Sequence, residues 1–149
     1  MRAPLAPGER RRGEKEEGRE NASDTETNGD VPSHYRLTVW RDSIELVSRV
    51  YRLTRQLPSS ERFGLISQLR RSAVSVPSNI AEGAGRGGGP EMIRFLKIAR
   101  GSLMELDTQL LICRELGFLD EQHIRQMRIR QLYGQINRLI SVRESRSQA

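Results

Sequence analysis

The chain has 149 residues, 36% hydrophobic and 5% aromatic, which suits one modest domain with a single core rather than a sandwich built on aromatic and β-branched side chains. Its formal net charge of +6 is carried almost wholly by arginine, since Lys15 and Lys97 are the only lysines. The lone cysteine, Cys113, excludes an intrachain disulfide, and no apolar run approaches membrane-spanning length, so a cytoplasmic protein without a membrane partner is expected.

Residues 1–34 are rich in Gly, Glu, Arg, Asn, Thr and Ser and have few apolar side chains to offset the entropy of ordering, so a disordered tail is expected there. Six basic and eight acidic residues give that segment a net charge of −2, leaving +8 for the remainder. Helical patterning starts at Leu37. Trp40, Ile44, Val47 and Tyr51 form one stripe, and Leu46, Val50, Leu53 and Leu57 form another beside it. Pro58 ends this first helix, and Ser59 or Ser60 is the expected cap of the next, with Glu61 near its positive end.

Helix two carries Ile66, Leu69, Ala73, Val76 and Ile80, a pattern that runs straight through Pro77. Either the helix stops near Val76 and restarts on a cap from Ser78 or Asn79, or it kinks at Pro77 and continues; the seam reaching Ile80 favours the kink. Helix three begins at Pro90 and has an unbroken heptad seam of Met92, Leu96, Ala99, Leu103, Leu106, Leu110 and Cys113, closed by Gly117. Asp120 caps helix four, which follows with Ile124, Ile129, Leu132, Ile136 and Leu139. The expected fold is all-α: an antiparallel up-down four-helix bundle over residues 35–145, with residues 146–149 frayed.

Between helices two and three, Gly83, Gly85 and Gly88 spell G-x-G-x-x-G, the glycine pattern of dinucleotide-binding loops. That chemistry needs a strand before the glycines, whereas helical periodicity precedes Gly83 here. Asp107 stands near the offset of a ribose-binding acid but falls inside helix three, and no glycine is followed by Lys and Ser or Thr as a Walker loop requires. Gly83 to Gly89 therefore reads as a joint between helices.

The segments GLISQLRRSAVSVPSNIAEGAGR and RFLKIARGSLMELDTQL closely resemble the four-helix-bundle proteins encoded in intervening sequences of bacterial 23S rRNA genes. The likeness spans about Leu37 to Ile140. It includes Trp40, Pro58 with Glu61, Gly64-Leu65, the Gln68, Arg70, Arg71 run, the stretch from Ser75 through Pro77, Asn79 and Glu82 to Gly83, and Arg100-Gly101-Ser102. The resemblance implies a homopentameric bundle with no established activity. It also implies kinship with the accessory variability proteins of diversity-generating retroelements, pentameric bundles that bind nucleic acid and partner a reverse transcriptase. The long N-terminal segment, the GGGP connection and Asp107 in place of a common Glu depart from the family pattern.

Ser75, Asn79 and Glu82 share one helix face and Ser102 and Glu105 another, so these residues and Arg100 are expected to pair with each other or with backbone groups rather than to catalyse. Neither histidine is placed to act as a base: His34 lies in the tail and His123 in the first turn of helix four. No cofactor or metal is expected, because Asp120-x-x-His123 is a single copy of a pair that di-iron bundles use twice. What remains is positive charge. Arg125, Arg128, Arg130 and Arg138 on helix four, with Arg70, Arg71 and Arg86 near the turn of helix two, are the candidate contacts for RNA or DNA phosphates. The function expected is that of a non-enzymatic oligomeric scaffold or accessory protein on nucleic acid. A protein-binding adaptor that recruits a polymerase-like partner is the alternative.

Overall fold

The computed structural model describes residues 31–149, so the disorder expected of residues 1–30 lies outside the described residues. Within them the chain is helical and contains no strand. A single 3-10 turn at Ser33–Arg36 leads into α1 (Thr38–Thr54) and places the His34 and Tyr35 rings 4.9 and 5.0 Å from Trp40. The expected tail boundary at residue 34 falls inside this turn. Of the two apolar stripes, the one of Leu46, Val50, Leu53 and Leu57 is buried, joined by Val39, while Ile44 and Tyr51 stay 44% and 38% exposed.

Between α1 and α2 (Leu65–Gly85), Ser59–Glu61 form a second 3-10 turn. The expected serine cap is not used. Instead the Leu65 N–H donates to Glu61 Oε2 at 3.0 Å. Gly64 makes room for that carboxylate, since a Cβ there would lie 2.5 Å from the same oxygen. α2 then runs unbroken through the buried Pro77. Proline in a helix interior costs about 3 kcal/mol by releasing one carbonyl, here that of Ala73, and crowding it. The next two carbonyls each gain a side-chain donor: Ser78 Oγ to Val74 and Asn79 Nδ2 to Ser75, both at 2.8 Å.

α3 (Gly89–Glu115) follows a connection of only three residues, shorter than the Gly83 to Gly89 joint expected, because Gly83 and Gly85 belong to α2. Gly87, Gly88 and Gly89 all have positive φ and make the reversal. Gly83 has a different task. It is buried, and a Cβ on it would come 2.7 Å from Phe95 Cβ and 3.3 Å from Met92 Cα. The full heptad seam of α3 from Met92 to Cys113 is inaccessible to solvent. Gly117, at φ 78°, closes the helix with a Schellman pair, Phe118 N–H to the Cys113 carbonyl and Gly117 N–H to that of Arg114, each 2.9 Å.

Asp120 caps the next helix as expected, its carboxylate accepting from the His123 N–H at 2.9 Å. The fourth helix is not continuous, however. A six-residue α4 (Glu121–Gln126) is separated from α5 (Ile129–Ser147) by Met127 and Arg128, and Arg128 is left-handed at φ 54°, ψ 38°. The physical reason is phase. Met127 and Ile129 are both buried, yet residues two apart on a continuous helix point to nearly opposite sides. One left-handed residue resets the phase so that both face inward. α5 then buries Ile129, Leu132, Ile136 and Ile140, while Leu139 is only partly covered.

The four long helices form a closed set of contacts, with α2 against α1 and α3, and α5 against α3 and α1. One apolar cluster runs through all of them. Because the clash at Gly83 involves the packed Cβ and backbone of a neighbouring helix, Gly83→Ala should destabilise the protein by about 1–3 kcal/mol in urea denaturation. Gly134→Ala, in α5 and only 3.6 Å from the mobile end of Arg138, should stabilise it by about 0.5–1 kcal/mol.

Candidate nucleic-acid interface

The signature polar residues are placed mainly by the α2–α3 seam. Ser75 Oγ and Ser102 Oγ share a hydrogen bond of 2.8 Å across the two helices, and Asn79 Nδ2 donates to Ser75 Oγ at 3.0 Å. Arg100 reaches from α3 to α5, donating to Asn137 Oδ1 at 2.9 Å. Glu82 does not join this group; it faces solvent and pairs with Arg86 at 2.9 Å. Glu105 is also exposed, with a weak 3.4 Å contact to Gln109. Ser75, Ser102 and Arg100, with Gly83 in the helix contact and Trp40 under the His34 and Tyr35 rings, join elements to one another, while Pro77 is buried within α2. The glycine pattern has no strand before it: Gly83 and Gly85 are helical.

The candidate phosphate contacts separate into two sets. Arg125, Arg128 and Arg130 are exposed and line one groove between α3 and the α4–α5 break, together with Asp107 and Glu121. Arg114 at its edge is engaged by Glu121 at 2.6 Å, and Arg125 stands a looser 3.7 Å from the same carboxylate. Arg128 and Arg130 make no ion pair with a described residue. The other four are dispersed. Arg70 lies over the Tyr51 ring at 4.4 Å and donates from Nε to Thr54 Oγ1 at 2.9 Å, while Arg86 is held by Glu82 and lies 4.9 Å over the Phe95 ring. Arg71 is exposed on α2, and Arg138 is exposed beside Arg36 and Leu37.

Two arginines outside the expected set meet Arg128 from the opposite side. Arg49 and Arg52 of α1 line a second groove with Arg128, His123 and Gln126. The signal was present as Arg49, Arg52 and Arg55 at steps of three, but only the chain reversal brings α1 beside the break.

Cys113 is fully buried, and burial, reinforced by the charge of Glu61, pushes its thiol above the usual range. His123 serves the cap of α4 and His34 packs on Trp40. Among the described residues no three His, Cys, Asp or Glu side chains gather as metal ligands, and no helix is long and apolar enough to cross a membrane.

Fold and surface together define a class: an all-α bundle with a polar α2–α3 seam and arginine-lined grooves beside the α4–α5 break. A family model described as 23S rRNA-intervening sequence protein matches residues 35–141, and the chain belongs to that family. A search of curated proteins finds no match.

Two measurements check this geometry. Cys113 should resist alkylation by iodoacetamide at mildly alkaline pH in the native state and react on unfolding, because a buried neutral thiol offers little thiolate. Arg128→Gly should raise folding stability by about 1 kcal/mol in urea melts, since glycine adopts the left-handed region without strain, while lowering affinity for polyanions.

Proposed function

We propose that this protein is a non-enzymatic, oligomeric helical scaffold that associates with nucleic acid by holding phosphate backbones on arginine-rich surfaces. The observation that carries the reading is the convergence of Arg125, Arg128 and Arg130 on one groove, two of them without an ion-pair partner among the described residues. Unpaired guanidinium groups at a surface attract polyanions and offer forked donors to phosphate oxygens. Tyr133 is the one aromatic on α5, so stacking on bases contributes little and sequence preference is weak. Membership of the 23S rRNA-intervening sequence family agrees with a role connected to nucleic acid.

Self-assembly belongs to the same reading, and the resemblance makes it a pentamer. Its support is the apolar surface left uncovered, including Ile44 and Tyr51 on α1 and Ile98 and Ile112 on α3. Repetition of the arginine groove around a closed ring would convert weak single contacts into useful avidity. We further infer an up-down antiparallel order with a bend of α2 at Pro77. Contacts that run in opposite sense along paired helices support the order: Ser75 with Ser102 but Gly83 with Phe95, and Lys97 with Glu144 but Arg100 with Asn137. A cytoplasmic, bacterial setting fits the single buried thiol and the resemblance.

The same uncovered apolar residues favour a second reading, in which the bundle is an adaptor that recruits a polymerase-like protein, such as a reverse transcriptase, without touching nucleic acid. Gel-shift titration with structured RNA and duplex DNA separates the two. Affinity should fall steeply with salt, by a log–log slope of about 0.7–0.9 per phosphate neutralised. Reversal of charge in Arg125→Glu with Arg130→Glu should weaken binding by about tenfold or more, given the strength of charge-assisted bonds. No shift at low salt would remove the nucleic-acid reading and leave the adaptor.

A further inference from the structure

Arg49 sits on the inner edge of α1, facing the α4–α5 break. Its Nη2 donates to the Met127 carbonyl at 3.4 Å, and its Nη1 lies 3.7 Å from the Glu45 carboxylate. Its Nε is buried and has no hydrogen-bond partner. A buried guanidinium nitrogen without an acceptor is costly, and such exceptions call for an explanation. Around it, the groove between α1 and the break gathers three guanidinium groups, of Arg49, Arg52 and Arg128, against the single carboxylate of Glu45; Asp42 lies further along α1, donated to by Gln135 Nε2 at 2.7 Å. Burial is the main reason the Arg49 pKa is lowered from the usual arginine value; Glu45 opposes it, and the charges of Arg128 and Arg52 add to the lowering more strongly than Asp42 offsets either. Arg128 reaches the groove from a left-handed backbone that only glycine adopts without strain.

One kind of ligand answers all of these features. A group with several anionic oxygens would offset the surplus of positive charge and occupy the mouth that Arg52 and Arg128 flank, and a turn of the Arg49 side chain would bring its orphaned Nε to the same oxygens. We propose that the groove between α1 and the α4–α5 break is a phosphate-binding site, with Arg49 at its base and Arg52 and Arg128 at its rim. The site holds the phosphate either as a free anion or as part of a polynucleotide. It shares Arg128 with the exposed surface but does not need Arg125 or Arg130.

Isothermal titration of the full chain at low salt with inorganic pyrophosphate, and in parallel with a short single-stranded oligonucleotide, tests the proposal. Wild type should bind pyrophosphate saturably, and Arg49→Gln should weaken it by about tenfold, as expected for loss of a charge-assisted fork. Arg52 is exposed and bonded only to Ser48, so Arg52→Gln keeps the fold and should lose affinity as well, even if Arg49→Gln unfolds. Arg71→Gln, an exposed cation on α2, should leave binding unchanged. Oligonucleotide binding that weakens in the same variants makes a polynucleotide phosphate an occupant; pyrophosphate binding alone makes the occupant a free anion. Both outcomes support the site. Absence of saturable pyrophosphate binding overturns it, as does an equal loss in Arg71→Gln. Pyrophosphate binding that is unchanged in both Arg49→Gln and Arg52→Gln also overturns the groove, and oligonucleotide binding lost in the Arg125→Glu, Arg130→Glu variant then leaves the surface reading intact.

Discussion

Where α2 and α3 cross near Gly83, the two helices are closer than any side chain at that position would permit. Phe95 Cβ and the Met92 backbone already occupy the space that a Cβ would fill. From this contact the rest of the bundle follows. It brings the α3 seam, from Met92 through Leu96 and Leu103 to Cys113, against Leu69, Ala73, Val76 and Ile80 of α2, and every one of these side chains is withdrawn from water. At about 1.5–3 kcal/mol for each large aliphatic side chain buried, that seam is the principal favourable term available to a domain with so few aromatics. The Ser75–Ser102 hydrogen bond sits on the same helix pair and adds direction to an otherwise non-directional contact.

The charged surface is a consequence of the core. Met127 and Ile129 are both buried, and the left-handed residue between them lets both face the core. That residue is Arg128, so the phase reset that satisfies two apolar side chains also turns a guanidinium outward, between the groove of Arg125 and Arg130 and that of Arg49 and Arg52. Backbone strain and positive charge therefore coincide at one position. Native chains retain such strain where the surroundings over-determine it, and functional surfaces are its usual address.

Much of this was legible in the chain. The heptad seam of α3, the cap at Asp120, the close at Gly117 and the rejection of a nucleotide loop at Gly83 all rest on spacing or local backbone chemistry, and the structure places these residues accordingly. The choice between the two stripes of α1 was not legible, because Ile44 and Leu46 are equally apolar and only the position of the neighbouring helices leaves one outside. The cap of α2 was misassigned to serine because a 3-10 turn and Gly64 carry Glu61 back to the first free N–H. Helix four reads as continuous from its apolar residues, although Ile124 and Ile129, five positions apart, lie about 140° apart on an ideal helix; where that change of phase is made appears only with Met127 buried beside it.

By itself, then, the order of residues determined that the described part of the chain is helical, roughly where its long helices lie and that its surplus charge is arginine. These follow from periodicity and composition, which act over a few residues and need no partner. Tertiary structure alone decided which apolar face is core, where the fourth helix breaks and which arginines meet. Arg49 and Arg128 are 79 positions apart, and no local rule relates residues that only the return of the chain brings to the same groove.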